Sequence, residues 1–380
     1  MIRKLIYIDV NTFPKEGFTN GLFITIREIL QRSPNFGFNP HFITINYSST
    51  NKTKIKSVKK DGLRIDYVYI PKKNNGLDRG ETRQSFKDIF NKFGAEDVFI
   101  CNTPAVFFDP LHLQVIKFLK ERNFKVKIIF FDTLFPKGYT QRAKIIRNEY
   151  RKELKTFDTY SVSKDVKKVV ERLLKRRVKT IPNIYDIRHI KSSKNVSSRK
   201  YVTMVNTHPI KGIEIFNAVA RKMPTVDFLI VDSWTDVPPY TQRLANIQHR
   251  QFTKNIRDIY SVTKLLLVPS LYKDGPARVI AEAAINGIPV IANKIGGLPE
   301  NGRMIQLIDP PKIRGYRIKG SVLFPIIDRK DLEVAVSRYE RAIIRNLDKE
   351  FYEQKSRTAR VYAKKKIANS DKEFSSIIRS

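Results

Sequence analysis

Cysteine is all but missing from this chain: Cys101 is the only one in 380 residues. An intrachain disulfide is therefore impossible, a cysteine-built zinc site has too few ligands, and the sequence suits a reducing interior. Histidine is nearly as scarce. His41, His112, His189, His208 and His249 are scattered, with no His-Glu-x-x-His or similar ligand spacing. Long apolar runs are lacking too: no stretch approaches the roughly 20 residues that a membrane-spanning helix requires, so any membrane contact is peripheral. The opening MIRKLIYIDV has the basic start and apolar run of a secretory leader. Its run of about six residues is shorter than a leader's hydrophobic region, and Asp9 interrupts it. It reads better as a first buried strand. Acidic residues are in short supply, 37 against 72 Lys and Arg, for a formal net charge of +35. Such an imbalance is silent on fold but attracts polyanions: nucleic acid, anionic lipid headgroups or phosphorylated substrates.

What is present is a globular α/β chain. The apolar fraction of 41% is close to the globular norm and the length suits two domains. Short β-branched runs alternate with helix-period segments, the pattern of βαβ units and a parallel sheet. Strands are expected at Lys4–Asp9, His41–Asn46, Arg64–Tyr69, Asp97–Cys101, Lys127–Phe131 and Thr159–Val162, with helices such as Leu22–Ser33, Pro110–Arg122 and Lys164–Leu174 between them. Tyr47–Lys60, rich in Ser, Asn and Lys, reads as an exposed loop. Polar Asp186–Lys200 reads as a linker, after which the pattern restarts. Strands follow at Tyr201–Val205, Asp227–Val231, near Ile247, Leu265–Val268 and Pro289–Ala292, with helices at Ile213–Lys222, Asn255–Val262 and Ala277–Ile285. The boundaries so drawn are residues 1–185 for a first domain, 186–350 for a second, and 351–380 for a basic helix packing back on the first. Lys364–Lys366 within that tail reads as a solvated face. Doubly wound domains bind ligands at the carboxyl ends of their strands.

The densest constellation is LLLVPSLYKDGPARVIAEAAINGIPVIANKIGGLPE, Leu265–Glu300. A buried strand ends at Pro269. Asp274 precedes a helix start, where the dipole and free N–H groups favour an acid, and the same N–H groups suit a phosphate or sugar oxygen. Glu282 follows about two helical turns on. Gly287 stops the helix, and a Gly296–Gly297 turn follows the next strand.

This segment resembles the GT4 family of retaining GT-B glycosyltransferases. The resemblance rests on Asp274-x7-Glu282, on Gly287-Ile288-Pro289-Val290-Ile291-Ala292, and on Gly296-Gly297-Leu298-Pro299-Glu300. It extends to VTMVNTHPIKGIEIF around Lys211-Gly212, to IPNIYD before the second domain, and to FPKEGFTNG after the first strand. It implies a GT-B architecture, two Rossmann-like doubly wound domains facing each other across a cleft, and transfer of a sugar from a nucleoside diphosphate sugar with retention. By the same resemblance Glu282 meets the ribose hydroxyls, Asp274 the transferred sugar, and Lys211 the diphosphate. Gly275 and Ala277 line the donor, Gly17 lets the first domain approach it, and Asp132 in FFDTLFP stands where the family presents His or Asp to the acceptor. Departures are Asn206 where the family often has Arg, Asp274 where Glu is usual, and Ala277–Arg278 where Gly and an apolar residue are common. Arg278 would add a cation near the diphosphate. The family needs no metal or other cofactor, so none is expected.

Blander readings stand beside these. Asp274 and Glu282 taken alone are a helix-start acid and a surface Glu; the ordered motifs around them reverse that weighting. Gly17 and Gly21 equally suit a turn and a helix start, Asp132 suits a strand-end cap, and His208 a satisfied loop histidine. The expected partners are the donor and a glycan or lipid-linked acceptor, with no specific nucleic acid. The expected place is the cytoplasm or its membrane face. A basic nucleic-acid- or membrane-binding protein on a degenerate scaffold is the competing class, but no nucleic-acid motif appears and the basic residues are spread along the chain. An epimerase or a phosphorylase on the same architecture is disfavoured by the GGLPE context and by the lack of a pyridoxal lysine motif.

Overall fold

The computed structural model describes the chain apart from residues 1–2, 11–12, 14–20, 50–51, 72–78, 103–108, 132–140, 193–198, 233–243, 254, 274 and 320–321, and apart from the side chains of 79, 81 and 141–147. It divides into two compact units, Met1–Ile184 with Lys372–Ser380, and Tyr185–Asp371.

The first unit is built on β1 (Arg3–Val10), α1 (Gly21–Arg32), β2 (Phe38–Ser48), β3 (Lys54–Lys60), β4 (Leu63–Pro71), α2 (Arg79–Phe90) and β5 (Val98–Asn102). It continues with α3 (Pro110–Glu121), β6 (Lys125–Phe130), α4 (Gln141–Leu154), β7 (Asp158–Ser161), α5 (Lys164–Leu174) and β8 (Lys179–Thr180). The sheet order is β3-β4-β2-β1-β5-β6-β7-β8, parallel except where β3 meets β4. A parallel sheet covered on both faces needs near-continuous apolar strands rather than alternation. β1 shows this: Leu5, Ile6, Tyr7 and Ile8 are all 0% exposed. The same central position explains Cys101, a buried apolar group on β5.

The Tyr47–Lys60 loop expectation is corrected here. Its start completes β2 and its end is β3, which pairs antiparallel with β4 from Lys54↔Tyr69 to Lys60↔Leu63. An edge strand with little to bury can be almost wholly polar, and its lysines discourage further strand pairing. Composition therefore looked like a loop.

The second unit contains α6 (Ile187–Ile190), β9 (Tyr201–Val205), α7 (Ile213–Lys222), β10 (Phe228–Val231), β11 (Ile247–Arg250), α8 (Ile256–Val262) and β12 (Thr263–Val268). There follow α9 (Arg278–Ile285), β13 (Val290–Asn293), β14 (Gln306–Ile308), β15 (Ile313–Lys319), β16 (Val322–Ile327), α10 (Arg329–Leu347) and α11 (Lys349–Arg379). Its main sheet is parallel throughout, in the order β11-β10-β9-β12-β13-β14. The stretch read as a linker holds α6, and Asn286 at the end of α9 ties it down: its Nδ2 donates to Ile190 O at 3.1 Å and its Oδ1 accepts from Ser192 N at 2.8 Å. α11 begins in this unit, where Ala359, Ala363 and Ile367 join its core. It ends in the first unit, where Phe374 and Ile378 are buried.

Candidate functional site

In the second unit the winding of the sheet reverses between β9 and β12, which are neighbours although far apart in sequence. The connections that follow such a pair pass to opposite faces of the sheet, and doubly wound sheets bind ligands there, at the carboxyl ends of the strands. One loop runs from Asn206 to Gly212, the other from Pro269 to Ala277.

The first loop is shaped by its own residues. Asn206 adopts a left-handed φ of 86°, which Asn tolerates better than most residues, and its Oδ1 accepts from His208 N at 2.9 Å. His208 Nδ1 accepts from Ile210 N at 3.3 Å and so caps a 3-10 turn, Pro209–Lys211. His208 is thus the satisfied loop histidine of the blander reading. Gly212 ends the turn at φ 90°, with its backbone so close to Pro269 that a Cβ there would collide with the Pro269 carbonyl. Leu271 N donates to Ile210 O at 2.8 Å. The two loops are therefore pinned together, and Lys211 is half-buried at their junction.

The second loop leads into α9. Ala277 precedes that helix at φ 25° without a side-chain cap. The segment after β13 holds the loop from behind: Asn301 Nδ2 donates to Pro276 O at 3.1 Å and to Leu298 O at 3.0 Å. Lys366 Nζ in turn donates to Asn301 Oδ1 at 3.0 Å and to Glu300 O at 3.4 Å. Burial pushes the Lys366 ammonium below the ordinary lysine range, with the Glu300 charge opposing. Lys366 is therefore a structural tie, which corrects the reading of Lys364–Lys366 as a solvated face; Lys364 and Lys365 are exposed.

Glu282 lies on α9, 6% exposed. Tyr260 Oη on α8 donates to its Oε2 at 2.9 Å, and Arg278 Nε approaches its Oε1 at 3.3 Å. The Arg278 guanidinium, 8% exposed, also lies over the Tyr185 ring at 4.5 Å. Burial, and then the Glu282 charge, push the Tyr260 hydroxyl well above its ordinary range, so it keeps its proton and remains a donor. A buried carboxylate is costly unless paired and hydrogen-bonded, and here both conditions are met.

The structure joins the loop that carries Asn206 and Lys211 to the segment that leads through Gly275 and Ala277 into α9, and on that helix it pairs Arg278 with Glu282. Asp274, Asp132 and Gly17 lie outside the described residues. Tyr260, Tyr185, Asn301 and Lys366 were missed. Tyr185 stood in view within IPNIYD; the others carry no local signal, because each acts on a residue distant in sequence.

Residues 200–316 match the model of the family described as Glycosyl transferases group 1. A search of curated proteins finds no match. Among solved structures, sucrose-phosphate synthase from Thermosynechococcus elongatus is similar at a TM-score of 0.69 and 16% identity, over 99% of this chain and 98% of that one. Anabaena Alr3699/HepE in complex with UDP and glucose is similar at a TM-score of 0.69 and 15% identity, over 100% of both chains. An alpha,alpha-trehalose-phosphate synthase (UDP-forming) from Burkholderia xenovorans gives a TM-score of 0.66 and 12% identity, over 99% of this chain and 100% of that one. The chain is a glycosyltransferase of GT-B fold, with a group 1 glycosyltransferase domain at residues 200–316.

Proposed function

We propose that the donor is a nucleoside diphosphate sugar held at the β9–β12 junction, and that the chain follows the GT4 pattern of transfer with retention. The observation that carries this reading is the pinning of the two loops at the strand ends, one of them leading into the helix whose buried Glu282 is paired with Arg278. On this reading cation, amides and acid act together at the carboxyl ends of the strands, where such sheets bind ligands. Glu282 accepts from the ribose hydroxyls, with Tyr260 and Arg278 holding its carboxylate. Lys211, beside Asn206, meets the diphosphate, whose departing charge it stabilises. Gly275, Ala277 and the uncapped start of α9 offer backbone N–H groups to the same oxygens. Asp274 meets the transferred sugar. Gly17 and Asp132 take the donor and acceptor roles that the resemblance implies for them. These groups do the electrostatic work without a metal. The acceptor is a glycan or a lipid-linked or protein-linked group, met in the cytoplasm or at its membrane face. No helix among the described residues is long and apolar enough to cross a membrane.

The test is a thermal-shift panel of UDP, GDP, ADP and CMP with their sugar conjugates. UDP comes first, because HepE was solved with it and the trehalose-phosphate synthase is UDP-forming. A ligand at about a hundred times its Kd stabilises the native state by about 2.7 kcal/mol. One nucleotide should raise the melting temperature of wild type and not of Glu282→Ala. A shift retained in Glu282→Ala would refute the ribose role, and inverted product by NMR would refute retention.

A further inference from the structure

β15 and β16 form an antiparallel ribbon separate from both main sheets, paired from Ile313↔Ile327 to Lys319↔Val322. Part of it is anchored to the donor loops. Tyr316 Oη donates to Leu271 O at 2.7 Å, the Tyr316 ring meets Tyr272 edge-on with centroids 5.9 Å apart, and β16 packs against the turn that carries Lys211. The rest is left in water. Ile318 is 76% exposed, the most exposed large apolar side chain among the described residues, and Ile326 is 44% exposed. Arg317 and Lys319 flank Ile318 in sequence, both exposed, and the Arg317 guanidinium lies over the Phe324 ring at 5.6 Å.

From Lys312 to Ile327 the chain carries Lys312, Arg314, Arg317 and Lys319 and no acidic residue. Arg314 is taken up by Asp328 and Asp331. Arg317 and Lys319 face no acidic group among the described residues. Exposed isoleucine beside uncompensated cations limits the choice of partner. A polyanion in water would use Arg317 and Lys319 and gain nothing from Ile318. An apolar protein groove would take Ile318 and strand the two charges. Arg317 and Lys319 stand on one face of the strand and Ile318 on the other, so an anionic lipid surface that the ribbon enters end-on takes all three: headgroups meet the cations while the isoleucine enters the headgroup–acyl boundary. We infer that the exposed end of the β15–β16 ribbon docks on an anionic lipid surface. On the donor-site reading above, on which this consequence rests, the anchor through Tyr316 places the donor loops beside acceptors presented at that surface.

Full-length protein is sedimented with vesicles of phosphatidylcholine alone, or with about one-third phosphatidylglycerol, at near-physiological salt. Each cation near such a surface contributes about fivefold to binding, and a buried isoleucine about tenfold or more. Wild type should bind the anionic vesicles and not the neutral ones. Ile318→Ser should weaken binding about tenfold, and Arg317→Gln with Lys319→Gln about twentyfold. Binding to heparin should be unchanged in Ile318→Ser. All variants should keep the wild-type melting temperature, since these side chains are exposed. Failure of wild type to bind anionic vesicles, or equal binding by Ile318→Ser, overturns the inference. Heparin binding that falls in step with vesicle binding in Ile318→Ser also overturns it. The nucleotide-induced thermal shift is read in the same samples. Its absence from wild type refutes the donor site alone, whatever the vesicles show.

Discussion

Tyr260→Phe is the most searching single substitution in this molecule. It removes one oxygen atom, keeps the ring, and leaves the volume of α8 against α9 almost unchanged. What it takes away is the 2.9 Å hydrogen bond to Glu282 Oε2, at a hydroxyl that is 0% exposed. A hydrogen bond to a charged group contributes about 1.5–3 kcal/mol, and a buried acceptor left without its donor loses that in full. Arg278 at 3.3 Å remains on the other oxygen, so the carboxylate stays paired and the loss should fall near the middle of that range. A fall of about 2 kcal/mol corresponds to roughly 4–8 °C in melting temperature for a unit of this size. Urea titration of wild type, Tyr260→Phe, Glu282→Gln and the double variant forms the cycle. In the Glu282→Gln background the hydrogen bond is neutral, and Tyr260→Phe should cost only about 0.5–1.5 kcal/mol. A cost below about 0.5 kcal/mol in the wild-type background, or equal costs in both, would refute the view that this hydroxyl holds an ionised Glu282.

Three further outcomes are expected. Gly212→Ala should destabilise by at least about 2 kcal/mol, because a left-handed φ of 90° is strained for alanine and the new Cβ meets the Pro269 carbonyl; a urea melt matching wild type would show that the loops part without cost. His112, fully buried between Tyr150 Oη at 2.7 Å and Asn102 O at 3.0 Å, is held down to about 4 by burial, so the unfolded chain takes up its proton first as pH falls. Stability from this group is complete above about pH 6.5 and falls by about 3 kcal/mol towards pH 4, and the slope in that window should be smaller in His112→Gln by urea titration at each pH. Cys101 is 0% exposed and burial pushes its thiol up; a chromogenic thiol reagent should react at the rate of unfolding in native buffer and at once in denaturant, and fast native labelling would contradict its placement on β5.

Much of the architecture was legible because parallel strands advertise themselves. β9, α7 and α5 begin and end where Tyr201–Val205, Ile213–Lys222 and Lys164–Leu174 were expected, since a buried strand must be apolar throughout and an amphipathic helix must repeat near every fourth residue. β3 was hidden because an edge strand has no such need, and the β15–β16 ribbon was not anticipated at all. The group 1 character of residues 200–316 was also legible, through the order of Lys211-Gly212, Glu282 and GGLPE.

By itself, then, the sequence determined the α/β class, the two-part pattern and the residue types that bear chemistry, because local periodicity and motif spacing are properties of the chain alone. Only the tertiary structure decided what those residues touch. It set Arg278 against Glu282 and Tyr185, made Tyr260 a partner across 22 residues, and turned Lys366 from a presumed surface charge into a tie on Asn301. Hydrogen bonds and burial act through space, and contacts between residues far apart along the chain leave no trace in either one's immediate neighbours.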